Sequence, residues 1–334
     1  MSGVAAIDCG TNSIRLLIAD VVALDGDEVQ VVDADRRMEI VRLGEHVDET
    51  GEFSAQALER TFEALRGYAE AIRAHGIELG PDTVRMVATS ATRDARNRQV
   101  FVDGVREIIG VEPEVVTGLE EAELSFVGAT AELDAAAADG GVDEAFAQPF
   151  LVVDIGGGST EFVLGAGKGA QELVRESLSV DVGCVRMSER HLRSDPPTAE
   201  QVAAATADID VALDEVEKVV PLREAGSVVC VAGTATTVAG IALDLPEYDS
   251  ERIHHTRVRA VELKRITEEL LRSTHAERAD IGVMHPGRVD VIGAGALVLS
   301  RVLARTGAGH FIASEHDILD GVAWSLLSPS EGGA

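Results

Sequence analysis

The sequence predicts an α/β protein built from two similar halves that face each other. An apolar segment that ends in Asp8 is followed by a turn rich in Gly, Ser and Thr and then by a second apolar segment. The same pattern returns at Asp154. The two aspartates are 146 residues apart, close to the length of one domain, and amphipathic helices alternate with short strands over the rest of the chain. The 334 residues therefore predict two domains, 1–130 and 131–334, joined at the Ala- and Asp-rich segment 131–148.

Each turn is expected to lie between two strands. Residues 4–7 form a short apolar run before Asp8, and residues 14–22 after the turn are rich in Ile, Leu and Val. The second copy has the apolar run 151–153 before its turn, and after the turn the segment 161–164, in which three apolar residues follow Glu161. Apolar runs separated by a glycine-containing turn are typical of hairpins, so each half should begin with one.

Three helices are predicted between the two hairpins. Residues 54–74 show helical periodicity with Ser54 as a cap, and residues 93–109 predict another helix. Thr117 and Glu120 match a capping box, so a helix should begin there with Glu121 in its first turn. Residues 233–237 are a third Gly/Thr turn, after a predicted strand.

The overall composition excludes several functional classes. The chain has 29 Lys and Arg against 58 Asp and Glu, a net charge of −29, which would repel nucleic acid and anionic membranes over most of the surface. Aromatic residues are 3% of the chain, too few for base-stacking platforms, and no stretch approaches the ~18 apolar residues of a membrane span. The three cysteines form no CxxC pair and no signal peptide is visible, so we expect a cytoplasmic protein.

The two Asp-plus-glycine turns have a specific chemical use. Glycine lets backbone N–H groups approach an anion closely, and the hydroxyls add further donors. An aspartate at the strand end can hold Mg²⁺, which neutralises phosphate charge. One such turn is equally well a tight hairpin with a capping Asp, but two turns and a third Gly/Thr turn together favour phosphate binding.

Three segments resemble elements of the actin, Hsp70 and sugar-kinase superfamily. D-C-G-T-N-S at 8–13 is similar to its phosphate-1 element, D-I-G-G-G-S-T-E at 154–161 to phosphate-2, and A-G-T-A-T-T at 232–237 to its adenosine element. The resemblance implies two actin-like (ribonuclease H-like) domains with an interdomain cleft.

Four further segments narrow the resemblance to the exopolyphosphatase/guanosine-pentaphosphatase (Ppx/GppA) family, and within it to a short actinobacterial-type branch. They are T-S-A-T-R-D-A at 89–95, G-L-E-E-A-E-L at 118–124, V-G-C-V at 182–185 and S-E-H-D-I-L-D-G at 314–321. Longer members carry extra C-terminal domains for which this chain has no room, so short polyphosphates are the expected substrates.

The resemblance implies a role for individual residues. Glu121 is the implied general base, with a solvated acid on an acidic helix as the alternative. Arg93 is the implied phosphate clamp, with an ion pair to Asp94 as the alternative. The implied phosphate-binding residues are Thr11, Asn12, Ser13, Gly156, Gly157, Gly158 and Ser159, and the implied ligands of Mg²⁺ (or Mn²⁺) are Asp154 and Glu161, with Asp8 in support.

The resemblance implies an exopolyphosphatase that releases orthophosphate from chain ends of inorganic polyphosphate. The alternatives are hydrolysis of the 5′ phosphate of pppGpp or of nucleoside triphosphates, a catalytically weak sensor of polyphosphate or nucleotides, and, less in keeping with the G-L-E-E-A segment, a sugar or acetate kinase. A homodimer is also implied, and neither nucleic acid nor a membrane is an expected partner.

Overall fold

The computed structural model describes residues 3–23, 29–131, 133, 146–166 and 174–327. These residues divide into two units: one comprises the described residues up to Leu124 and from Ile318 onward, and the other is Ser125–Asp317. The division differs from the predicted boundary at 130/131, because the chain changes units inside a helix and the last described helix belongs to the first unit. Most of the predicted junction at 131–148 lies outside the described residues.

The first unit is organised around a mixed sheet of five strands among its described residues. The strands are β1 Gly3–Cys9, β2 Ser13–Ala23, β3 Val29–Ile40, β4 Val84–Ala88 and β5 Glu114–Val115. Their order in the sheet is β3-β2-β1-β4-β5. The first three strands run antiparallel, whereas β4 and β5 run parallel to β1, so the predicted hairpin at Asp8 is confirmed.

Helices connect and cover the strands of both units. In the described residues they are α1 Val47–Thr50, α2 Ala55–Ala74, α3 Ser90–Asp94, α4 Arg98–Ile109, α5 Gly118–Thr130, α6 Cys184–His191, α7 Ala199–Val219, α8 Ala232–Ala242, α9 Ser250–Ile253, α10 Ala260–Arg272, α11 His275–Ala279, α12 Ile292–Thr306 and α13 Ile318–Ser325. Short 3₁₀ turns at Leu222–Glu224 and Pro286–Arg288 complete the set.

The predicted helix over 93–109 is in fact two helices, α3 and α4. Ala95 adopts an extended backbone conformation that ends α3. Asn97, before α4, bonds through its side chain to both backbone groups of Phe53. A pattern of apolar residues alone could not show this break, because the contact that holds it comes from a distant segment.

Helix α13 belongs to the first unit because β1 needs cover on both faces. Side chains alternate along a strand, so Ala5 and Ile7 enter the core with α2 and α4, whereas Val4 and Ala6 enter a second cluster. That second cluster is completed by α13 through residues that include Val322. Burial of this second face explains why α13 belongs to the first unit.

The second unit repeats the same plan with one strand more among its described residues. Its strands are β6 Phe150–Ile155, β7 Thr160–Gly165, β8 Val174–Val180, β9 Ser227–Val231, β10 Arg257–Arg259 and β11 His310–Ala313, in the order β10-β11-β9-β6-β7-β8. Strands β6, β7 and β8 are antiparallel, β9 and β11 run parallel to β6, and β10 is an added antiparallel edge.

Both units therefore have three antiparallel strands followed by parallel ones, which is the strand order of the ribonuclease H-like, actin-like fold. The prediction of two duplicated α/β domains of this type is confirmed. None of the helices in the described ranges combines the length and the hydropathy that crossing a bilayer requires.

Candidate active site

The glycine turn of the second unit has its backbone carbonyl groups held on one side. Gly156 N donates to Ser159 O at 3.1 Å and closes the turn between β6 and β7. The carbonyl oxygens of Gly156 and Gly157 accept from the backbone N–H groups of Cys184 and Val185, at 3.0 and 2.9 Å. The Gly158 carbonyl accepts from the Nε of the buried Arg186 at 2.7 Å.

Three successive N–H groups of the turn point to the side opposite these carbonyl groups. In a trans peptide the N–H of one residue points away from the preceding carbonyl, so the N–H groups of Gly157, Gly158 and Ser159 all point away from α6. Successive N–H groups on one side of a turn form a concave site for an anion. The phosphate-binding prediction for these residues thus has a geometric basis in the second unit.

The segment before α6 lies directly against this turn. A Cβ on Gly183 would lie 2.4 Å from the carbonyl oxygen of Gly157 and 2.6 Å from the nitrogen of Gly158, so only glycine allows this approach. Neighbouring Cys184 is buried, and burial raises the pKa of its thiol to about 11. The thiol is therefore protonated at neutral pH, which supports a packing role for Cys184 and not a nucleophilic one.

Gly183→Ala is expected to displace the turn, because backbone atoms cannot move aside as flexible side chains can. We expect a loss of about 1–3 kcal/mol in unfolding free energy and a roughly 10- to 100-fold loss of phosphate-releasing activity. Thermal unfolding and phosphate release measure the two effects. Gly67→Ala is the matched control, because Gly67 is exposed in α2 with no atom near the added methyl, and it should be neutral or slightly stabilising. Full activity of Gly183→Ala would refute the positioning role of this contact.

Two buried carboxylates lie opposite each other beside the second turn. Asp154 on β6 pairs with Glu161 on β7 in the antiparallel register, so their side chains lie on one face with Cβ atoms ~5 Å apart. Ser125 donates to Asp154 at 2.8 Å, and Ser179 donates to Glu161 at 2.7 Å.

This pair fits the donor set of Mg²⁺. Magnesium in phosphate-processing sites is commonly held by one or two carboxylates, with phosphate oxygens and water completing its octahedron. Within the described ranges, no group of three or more His, Cys, Asp or Glu side chains is arranged to hold a metal by itself. A site with Asp154 and Glu161 as its protein ligands, and with water or phosphate oxygens as the others, agrees with both facts.

The first unit has the corresponding turn with the same closing bond, Gly10 N to Ser13 O at 3.0 Å. The Thr11 carbonyl accepts from Gly44 N at 2.9 Å, and the Asn12 carbonyl accepts from Val41 N at 3.1 Å. The N–H groups of Asn12 and Ser13 consequently point away from the segment that contains Gly44. Asn12 and Ser13 are half-buried, so the first unit also presents backbone donors at its turn.

Thr11 is placed differently from its two neighbours. It is buried, its hydroxyl bonds to that of Ser90 at 2.9 Å, and a Cβ on Gly44 would lie 2.3 Å from its methyl group. Its side chain thus anchors the turn.

The segment 41–44 that holds the first turn was missed by sequence reasoning. The sequence does contain a signal for it. V-R-L-G at 41–44 comes directly after β3, and the similar segment V-D-V-G at 180–183 begins at the last residue of β8. Comparing the two halves strand by strand would have found this second repeat.

The predicted base and clamp of the first unit contact each other. Glu121 Oε2 accepts from Arg93 Nη1 at 2.7 Å, and the same nitrogen donates to the Val116 carbonyl at 2.9 Å. The Glu121 side chain is 9% exposed, so the alternative of a solvated surface acid is wrong. Arg93 forms its ion pair with Glu121, whereas the alternative considered from the sequence was an ion pair with Asp94.

The neighbouring glutamate has a separate structural role. Thr117 N and Oγ1 donate to Glu120 at 2.8 and 2.9 Å, and Glu120 N donates back to Thr117 Oγ1 at 3.2 Å. These bonds from Thr117 lower the pKa of the Glu120 carboxyl. The predicted capping box is confirmed, and it gives Glu120 and Glu121 distinct surroundings.

The third Gly/Thr segment is the start of a helix, which corrects the prediction of a turn at 233–237. Helix α8 begins at Ala232, which has a positive φ of 64°. Arg288 lies across this start, because a Cβ on Gly233 would be 2.2 Å from its guanidinium carbon and its Nη1 donates to Thr237 Oγ1 at 3.1 Å. Sequence reasoning missed Arg288, which no local motif connects to α8.

The model of the Ppx/GppA phosphatase family matches residues 17–329 of this sequence. The chain belongs to this family. It is 47% identical to Exopolyphosphatase 2 of Mycobacterium tuberculosis, over 98% of this chain and 99% of that protein. It is 29% identical to a guanosine-5′-triphosphate,3′-diphosphate pyrophosphatase of Photobacterium profundum, over 97% of this chain and 59% of that protein.

Solved structures of family members share the fold. The crystal structure of an exopolyphosphatase-like protein, 42% identical, superposes with a TM-score of 0.87 and covers 96% of this chain and 98% of that one. The Aquifex aeolicus family member, 28% identical, has a TM-score of 0.74 and 99% coverage of both chains. The family predicted from the seven sequence segments is therefore the family found.

Proposed function

We propose that this protein is an exopolyphosphatase, a phosphoanhydride hydrolase that releases orthophosphate from the ends of inorganic polyphosphate, preferentially short chains. The observation that carries the proposal is the 47% identity to an exopolyphosphatase over nearly the full length of both chains. The guanosine-5′-triphosphate,3′-diphosphate pyrophosphatases among its relatives are more distant, at 28–31% identity over 50–59% of their own length.

In the proposed reaction, Glu121 accepts a proton from a water molecule while the oxygen of that water attacks the terminal phosphorus. The bond from that phosphorus to the bridging oxygen breaks, and the shortened chain leaves with the electron pair of that bond. Arg93 orients the carboxylate through its bond to Oε2 and is itself held by the Val116 carbonyl. Arg93 is thus a positioning residue in this proposal, and a phosphate contact is not required of it.

The glycine turns supply the phosphate-binding groups. The N–H groups of Gly157, Gly158 and Ser159 bind oxygens of the reacting phosphate, and those of Asn12 and Ser13 serve the first unit in the same way. Backbone donors suit a protein with a net charge of −29, because they attract an anion at short range without added basic side chains.

Asp154 and Glu161 would hold Mg²⁺, or Mn²⁺ in its place. The bound ion would neutralise negative charge on the phosphates. Asp154 and Glu161 are each oriented by a serine hydroxyl, from Ser125 and Ser179 respectively, and such hydrogen bonds keep a carboxylate in its ligating position.

We also propose a cytoplasmic location and a homodimeric state. The three cysteines of the chain are free and buried, which suits a reducing compartment. The homodimer rests on the family resemblance, and light scattering coupled to gel filtration tests it: a mass near that of one chain would exclude it.

A substrate panel tests the proposed activity. Purified protein with Mg²⁺ or Mn²⁺ is given polyphosphates of defined length, pppGpp, ATP and GTP, and orthophosphate release is followed. We expect the highest kcat/KM with short polyphosphates and a lower value with long chains. A higher kcat/KM for pppGpp would assign the alternative activity, and no release from any substrate with either metal would favour a binding protein.

A further inference from the structure

The two glycine turns are built alike but differ in one charge. Each begins two residues after an aspartate at a strand end, Asp8 in the first unit and Asp154 in the second. In both, the residue seven positions later lies directly opposite on the next antiparallel strand. That residue is Arg15 beside Asp8 and Glu161 beside Asp154.

Arg15 forms a close ion pair with its aspartate. Its Nε and Nη2 both donate to Asp8 Oδ2, at 3.1 and 2.7 Å. The Asp8 side chain is 5% exposed and that of Arg15 is 18% exposed, so water weakens this attraction little. The pair carries no net charge.

The corresponding pair in the second unit has the opposite character. Asp154 and Glu161 are both buried, and with both ionised the pair carries two negative charges. A phosphate bound at that turn would be repelled unless a cation is also present. At the first turn the same repulsion is already removed by Arg15.

We infer that Arg15 makes the first turn a phosphate site that recruits no divalent cation, so that the protein binds one such ion per chain, in the second unit. This inference rests on the proposed function, because it takes Asp154 and Glu161 as the cation ligands. It removes Asp8 from the predicted ligands and makes it the partner that orients Arg15. Arg15 then provides at the first turn the positive charge that a metal ion provides at the second.

Mn²⁺ binding in the absence of substrate tests the inference. Electron paramagnetic resonance of free Mn²⁺ gives the number of ions bound per chain and their affinity, without any turnover. We expect one Mn²⁺ per chain in the wild type and in Asp8→Asn, with similar affinities. Arg15→Glu recreates the acidic pair of the second unit and should bind a second Mn²⁺, whereas Arg15→Lys, which keeps the charge, should bind one.

Several results would overturn the inference. These are two equivalent Mn²⁺ ions in the wild type, weaker binding in Asp8→Asn, or a folded Arg15→Glu protein that binds only one ion. If Arg15→Glu does not fold, the comparison of Asp8→Asn with the wild type still decides the question. A different result would show that Asp154 and Glu161 are not the cation ligands. In that case Glu161→Gln would bind Mn²⁺ with the same affinity as the wild type.

Discussion

Replacing Glu121 by glutamine is expected to lower kcat for orthophosphate release by about 10²- to 10⁴-fold, because an amide cannot accept the proton of the attacking water. The change keeps the size of the side chain and an oxygen that can accept the bond from Arg93. KM should therefore change much less than kcat. Initial rates over a range of polyphosphate concentrations separate the two parameters.

Glu120→Gln is the matched control for this experiment. Glu120 precedes Glu121 on the same helix, and glutamine can still accept the bonds from Thr117 that cap α5. We expect nearly wild-type kcat and at most a small change in thermal stability. If Glu121→Gln retained wild-type kcat, or if Glu120→Gln lost as much as Glu121→Gln, Glu121 would not be the base.

Asp154→Asn should remove both the activity and its dependence on Mg²⁺. The amide has no charge with which to hold the ion, so Mn²⁺ affinity should fall by at least the roughly 10- to 100-fold that loss of an outer-shell partner costs. Phosphate release should fall in parallel at every Mg²⁺ concentration at which the wild-type protein is active. Calorimetric titration measures the Mn²⁺ affinity, and the rate of phosphate release at increasing Mg²⁺ concentrations measures the Mg²⁺ dependence.

Asp181→Asn provides the control for Asp154→Asn, because it makes the same charge change in the same unit. The Asp181 side chain is 76% exposed, and its nearest recorded cation, Arg186, is 3.9 Å away. It should leave Mn²⁺ affinity unchanged. An unaltered Mg²⁺ titration in Asp154→Asn would remove this residue from the metal site.

Much of the candidate site could be predicted because its signals are local. The two Asp-plus-glycine turns lie between apolar runs whose period and turn residues predict hairpins, and both hairpins are present. The capping box at Thr117 depends on residues three positions apart, which also made it visible in the sequence.

The contacts that sequence reasoning did not predict join distant segments. Gly183 and Gly44 hold the two turns from the end of a third strand, and Arg288 reaches α8 across 51 positions of sequence. The ion pair of Arg93 joins two segments 28 residues apart, so the charge pattern near Arg93 pointed instead to its neighbour Asp94.

Periodicity and turn residues were enough to predict the fold class and the duplication. Short segments that resemble those of a known family indicated the family and the candidate residues. The partner of each candidate side chain became known from the three-dimensional contacts. Asp8 and Asp154 are alike in sequence, yet the strand register places Arg15 beside one and Glu161 beside the other. The chemistry of a carboxylate depends on the charge opposite it, and pairing between strands is what brings that charge into place.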